Sequence, residues 1–160
     1  MKKFVFVIVI ILSLLSAISV VSFAETDEGY VSSDSGDLVG LIAADPNARG
    51  ALIPTLEYNI SRNGTYSFDG GSHSQTLYTS YYFSGCEKYT VIAYNLQSSG
   101  QKVIARNLDG DKLEEYSIPS NGGSITFHVT TTEKWYLEFP GGGIFGGGTD
   151  VHGTVSEYNS

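Results

Sequence analysis

Between Lys88 and Leu108 the chain reads KYTVIAYNLQSSGQKVIARNL, two runs rich in β-branched and aromatic residues around the polar stretch Gln97-Ser98-Ser99-Gly100. Such residues favour extended backbone, and a short Gly-containing connection between two such runs is a β-hairpin signal. Apolar side chains occupy both parities: Tyr89, Val91 and Ala93 on one, Ile92, Tyr94 and Leu96 on the other. A sheet with one wet face shows a cleaner alternation of apolar and polar residues. The hairpin is therefore expected at the centre of a sheet, with shorter strands added before and after it.

From Leu56 onward the same texture recurs. Runs at Leu56 to Ile60, Gly64 to Phe68, Gln75 to Phe83, Tyr89 to Leu96 and Lys102 to Leu108 are followed by Lys112 to Ile118, Ser124 to Val129, Trp135 to Phe139 and Val151 to Tyr158. Asn63-Gly64, Asp69-Gly70-Gly71, Asp109-Gly110 and Asn121-Gly122-Gly123 lie between runs and suit turns that need positive φ. No window carries a helical period. The fold class expected is all-β, a single antiparallel β-sandwich (jelly-roll or Ig-like) of about eight to nine strands. A period of two then sets the faces. Leu77, Thr79, Tyr81 and Phe83 should face the core, as should Ile125, Phe127 and Val129, and Trp135, Leu137 and Phe139. In the hairpin the same holds for Tyr89, Val91, Ala93, Val103 and Ala105, with Ile92, Tyr94 and Ile104 outside.

Residues 1–24 are expected to be a signal peptide: a Met1-Lys2-Lys3 start, an apolar run from Phe4 to Leu15 and the small-residue site Ser22-Phe23-Ala24. Removing 24 of the 160 residues would leave 136, enough for one domain with a real core. Residues 25–55 read as an acidic flexible leader with one short ordered piece at Leu38 to Ala44, and residues 56–160 as the sandwich. No segment after the signal is apolar enough to span a bilayer. Losing Lys2 and Lys3 takes the basic count from 9 to 7 against 17 acids, a formal charge of −10. That sign repels nucleic acid and anionic lipid. The single cysteine, Cys86, excludes an internal disulfide framework and is expected to be a half-buried structural thiol.

The strand end Tyr81-Tyr82-Phe83-Ser84-Gly85, the strand start Tyr89-Thr90-Val91 and the late strand Trp135-Tyr136-Leu137-Glu138-Phe139 resemble small secreted bacterial β-sandwich modules of the pre-peptidase C-terminal and jelly-roll kind. The resemblance spans roughly residues 64–139 and concerns architecture. It implies an accessory or binding role and brings no functional residue with it.

Outward tyrosines are the sharpest chemical feature. Alternation puts Tyr78, Tyr82, Tyr94 and Tyr136 opposite the core, with His128 and Glu138 on neighbouring strands. Flat rings beside hydrogen-bonding groups suit a glycan, whose C–H faces pack on aromatics while its hydroxyls need polar partners. Tyrosine is equally at home as a cross-strand partner, so a purely structural role fits the same residues. The stretch Gly141-Gly142-Gly143-Ile144-Phe145-Gly146-Gly147-Gly148 could present Ile144 and Phe145 to a bilayer or partner, or fold them back onto the sandwich. His73, His128 and His152 have no metal-ligand spacing, and Asn107 to Asp111 lacks the ladder of a calcium loop. No metal, cofactor or catalytic residue is assigned.

Three function classes follow: a secreted non-catalytic module binding a glycan or cell-surface ligand, a membrane-active protein using Ile144 and Phe145, and a hydrolase whose site forms only in three dimensions.

Overall fold

The computed structural model describes residues 37–44, 52–141 and 148–159. Within them the short β-branched and aromatic runs form eleven strands: β1 (Leu41–Ala43), β2 (Leu56–Asn59), β3 (Tyr66–Ser72), β4 (Leu77–Thr79), β5 (Tyr81–Ser84), β6 (Lys88–Asn95), β7 (Gln101–Asn107), β8 (Lys112–Ile118), β9 (Gly123–Thr130), β10 (Trp135–Phe139) and β11 (Thr149–Glu157). One helical turn, α1 (Ile60–Asn63), is capped by the Asn59 side chain and stops at Gly64, whose φ of 80° needs a residue without a Cβ. The fold class is all-β. The expected signal peptide at 1–24, most of the 25–55 leader and the Ile144-Phe145 pair lie outside the described residues.

The strands form two sheets. The first runs β3-β11-β6-β9 with every neighbouring pair antiparallel. The second contains seven strands: β1-β4-β10-β7-β8 along one line, β5 also on β10, and β2 parallel to β5. The count of eight to nine strands is therefore corrected to eleven in two sheets, one pair of them parallel. One of the two sheets curls into a half-barrel.

The expected hairpin is not a hairpin. β6 pairs with β11 and β9 in the first sheet, whereas β7 pairs with β10 and β8 in the second. A Gly-containing polar link marks a reversal without specifying that the flanking strands pair. Here Asn95 organises a crossover: its side-chain nitrogen donates to the carbonyls of Ser99 (2.6 Å) and Pro119 (3.2 Å), and its oxygen accepts the Gln97 N–H (3.0 Å). Each run does occupy an interior position, in its own sheet. The inward parity survives because both faces look into the same core: Tyr89, Val91, Ala93, Val103 and Ala105 are all buried.

Two other expectations change. Asp69-Gly70-Gly71 is not a turn but the end of β3, paired with Val151 and Asp150. Gly71 serves close approach, since a Cβ there would stand 2.8 Å from the Thr149 carbonyl oxygen. The ordered piece expected within the leader is β1. It pairs with β4 and buries Leu41 and Ala43 in the core, so the folded unit begins well before residue 56.

The run from Gln75 to Phe83 is divided. Leu77 and Tyr78 lie opposite Phe139 and Glu138, but Phe83 lies opposite Trp135, a shift of two residues. A shift of two preserves parity, so Leu77, Thr79 and Phe83 all remain inward and buried. Thr79 fills the irregularity, its hydroxyl donating to the Tyr81 carbonyl and accepting the Leu137 N–H. Around this strand, rings from both sheets interlock. Trp135 sits 5.0 Å from Phe83 and 5.0 Å from Tyr89, and Phe68 sits 5.3 Å from Phe139. Each such buried ring stabilises the fold by roughly 1.5–3 kcal/mol of transfer free energy.

Candidate functional site

Pairing registers place the outward residues of the first sheet in rows. Asp69, His152, Tyr94 and Ser124 form one row, and Ser67, Thr154, Ile92 and Thr126 the next. Ser156, Thr90 and His128 form the third. Their partners one residue along point inward: Val151, Val155, Val91, Ala93, Phe127 and Val129 are all buried. The result is a face of small hydroxylated side chains with an aromatic pair at each end.

At one end the Tyr94 and His152 rings stack, with centroids 4.6 Å apart and planes 6° from parallel. Tyr94 keeps 38 % of its surface exposed. At the other end His128 meets Tyr158 edge-on at 4.8 Å, and Lys88 Nζ lies 3.6 Å above the Tyr158 ring. His128 Nδ1 is 3.3 Å from the Thr90 hydroxyl. Tyr94 and His128 are four residues apart along the strand direction, about 13 Å at strand rise, the length of a short oligosaccharide.

Beyond the Tyr94–His152 row the face runs into a cavity of about 350 Å³. Asp37, Asp150, His73, Gln97 and Thr149 line it, with Gly70 and Gly71 among the backbone. Asp150 lies two residues from His152, hence on the same side of β11. Thr149, two residues from Val151 and so on the inward side of β11, is only 1 % exposed, and among the described residues its hydroxyl has no hydrogen-bond partner.

Of the six residues expected on the outer face of one sheet or two, Tyr94 and His128 share the outer face of the first sheet. Tyr78, Tyr136 and Glu138 lie on the second sheet and are buried there, Tyr136 completely and Tyr78 to within 5 %. The parity reading was right, because Tyr136 does point away from Trp135. The inference from parity to exposure fails because this side of the sheet is covered. Pro54 is buried, and the backbone of Leu52 lies near the Tyr78 phenol. Beneath lie Tyr78 and Tyr136, 6.1 Å apart, Ile104, and the Arg106–Glu138 ion pair. Burial pushes both phenols up, with Glu138 adding to it and Arg106 opposing it. Ile104, expected outside, is buried for the same reason. Tyr82 stands apart, half-buried under Lys134 Nζ at 5.0 Å.

Sequence reasoning missed His152, Asp150, Thr149, Gln97 and Asp37. The alternation of Val151, Gly153 and Val155 with His152, Thr154 and Ser156 is the local signal that could have marked the outward set. The pairing of His152 with Tyr94, 58 residues earlier, left no local signal. Gly153 is part of the same design: a Cβ there would stand 2.6 Å from the Phe68 ring and 2.1 Å from the Ile92 carbonyl oxygen, so only glycine lets β11 settle.

Asn107 to Asp111 is a turn closed by the Asn107 side chain. The Asn107 side-chain oxygen accepts the N–H groups of Asp109 and Asp111. Among the described residues no three His, Cys, Asp or Glu side chains gather as metal ligands, and no helix is long and apolar enough to cross a membrane. Cys86 is half-buried, and burial followed by the Glu157 carboxylate pushes its thiol up, away from the reactive thiolate. No known protein family matches the sequence, and no curated protein matches it either.

Proposed function

We propose that this protein is a secreted, non-catalytic binding module, and that it holds a glycan or other cell-surface ligand on the outer face of its four-stranded sheet. The reading rests on one arrangement: a Tyr94–His152 pair stacked in parallel planes, with Tyr94 exposed and His152 half-exposed, beside a polar cavity and in line with rows of hydroxyl groups. Rings supply a stacking platform, while threonine and serine hydroxyls act as both donors and acceptors. Tyr78, Tyr82, Tyr136 and Glu138 drop out of the ligand-binding set, and His152 joins Tyr94 and His128.

The finer reading of the fold belongs here. Taking β4 and β5 as one interrupted strand, eight strands divide between the sheets in the order of a jelly roll, four on β3-β11-β6-β9 and four on β4/β5-β10-β7-β8. That order supports the sandwich reading and the resemblance to secreted bacterial modules. Jelly rolls are common among lectin domains, which agrees with a binding role without establishing one.

A hydrolase draws on one observation, that Asp37 and Asp150 line the same cavity. Asp37 is exposed and Asp150 half-exposed, whereas a catalytic acid is usually held in an apolar pocket. Binding is the better fit. A glycan array on residues 25–160 tests it. We expect a defined set of hits, each weakened by roughly 1–3 kcal/mol in Tyr94→Ala. Hits that Tyr94→Ala and His152→Ala leave untouched would sink this face as the site.

A further inference from the structure

We infer that β9 is a dimerisation edge, along which a second copy of this chain adds its own β9 antiparallel, so that the two four-stranded sheets join into one. The inference does not depend on the glycan reading.

Backbone direction is the first argument. The Thr131 N–H donates to the Glu87 carbonyl (3.0 Å), and the Tyr158 N–H to the Lys88 carbonyl (3.1 Å). Along a strand the N–H and C=O of one residue point to the same side, and the side alternates from residue to residue. The odd-numbered residues of β6 and β9 therefore bond each other, while the even-numbered residues of β6 bond β11. Ser124, Thr126, His128 and Thr130 are left with their N–H and C=O groups directed away from β6. Among the described residues β9 pairs with no strand on that side. All four residues are exposed.

Self-complementarity identifies the occupant. Two copies of β9 related by a two-fold axis at Phe127 set Thr126 of one opposite His128 of the other, and Ser124 opposite Thr130. Each such pair exchanges both of its bonds, so no edge N–H or C=O of the four residues is left over in either copy. Parity is kept, with Thr126 and His128 on the wet side and Phe127 on the core side.

Composition agrees. β9 carries no Asp, Glu, Lys, Arg or Pro, in a chain whose formal charge is −8. Two acidic molecules can meet there without placing like charges opposite each other. Two other edges are guarded. β8 bears Lys112, Glu114 and Glu115 and an irregularity against β7, and Val39 exchanges backbone bonds with Asp69 on the outer side of β3. Beside the β9 edge, Ile125 and Tyr116, the latter stacked on Phe127 at 4.3 Å, are only half-buried. They are apolar surface that a second copy would shield from water.

The test is sedimentation equilibrium joined to amide hydrogen exchange, on the protein purified after expression of the full chain. Apparent mass should rise from one chain to two between about 1 µM and about 1 mM, as suits a small interface. The amides of Ser124, Thr126, His128 and Thr130 should exchange at least about tenfold more slowly in the concentrated sample. Those of Phe127 and Val129, bonded to β6, should be protected at both extremes. Thr126→Pro removes an N–H that points off the sheet. It should fold, yet weaken dimerisation by about a hundredfold through two lost hydrogen bonds and a ring clash. Thr126→Lys, which leaves the backbone intact, should weaken it as well. Sedimentation as one chain at every concentration would overturn the second copy as the occupant of this edge. A dimer whose four edge amides still exchange fast, or one that both substitutions leave unchanged, would overturn β9 as the interface.

Discussion

The outward faces of the two sheets obey the same period of two and end in opposite states. On the first sheet, outward means wet: Tyr94 is exposed, and Ser124, Thr126 and His128 beside it are exposed as well. On the second, outward means buried: Tyr136, Tyr78, Ile104 and Glu138 expose 9 % of their surface or less, and the Leu52 backbone lies near the Tyr78 phenol. Parity fixes which side of a sheet a residue is on. Whether that side meets water depends on what the chain lays across it, and a strand's own sequence carries only a faint mark of that. The mark is present in β10, where Trp135-Tyr136-Leu137-Glu138-Phe139 is buried at every position and only Glu138 is charged.

The sharpest way to break the comparison is to truncate neighbours on opposite sides of β10. Trp135→Ala and Tyr136→Ala should each destabilise by about 3–5 kcal/mol in chemical denaturation, the range for a large buried aromatic. If Tyr136→Ala costs no more than a surface change, the second sheet has an open outer face after all. Leu41→Ala comes next, at about 2–3 kcal/mol, because β1 belongs to the core although it lies in what reads as leader. An unchanged midpoint would return residues 37–44 to the leader.

Alkaline pH sharpens the same contrast. Burial, partly offset by hydrogen bonding to Ser80, pushes Tyr66 up to about 12 from 10, and it raises Tyr78, Tyr89 and Tyr136 as well. A phenol held neutral by folding contributes fully below its unfolded value and progressively loses that contribution as pH rises through the folded one. Stability should therefore fall between about pH 10 and 12, and less steeply in Tyr66→Phe. Denaturation midpoints that stay level across that window would contradict the buried set. The smallest effect belongs to Tyr94→Ala, which should move stability by no more than about 0.5 kcal/mol, as expected of an exposed side chain.

Much of the architecture was legible along the chain. Alternation gave the inward set in nearly every strand, since burial of one face of a sheet is a local, repeating demand. Strand partners were not legible. Lys88 to Leu108 carries the local marks of a hairpin, yet β6 and β7 sit in different sheets because Asn95 ties the link into a crossover and remote strands claim both edges. The site suffered most, for its defining contact joins Tyr94 to His152 and its cavity draws on Asp37, Gln97 and Asp150. Those residues meet only through long-range antiparallel pairing. Tyr78 and Tyr136 looked equivalent to Tyr94 because nothing nearby in sequence records the cover over them.

The central claim is that one outer face binds and the other does not, and nuclear magnetic resonance titration with an oligosaccharide hit tests it residue by residue. We predict shifts concentrated on the outward amides and side chains of β6, β9 and β11, strongest at Tyr94, His152 and Asp150, with Tyr78, Tyr136 and Arg106 silent. Shifts centred instead on β4, β7 and β10 would contradict the account.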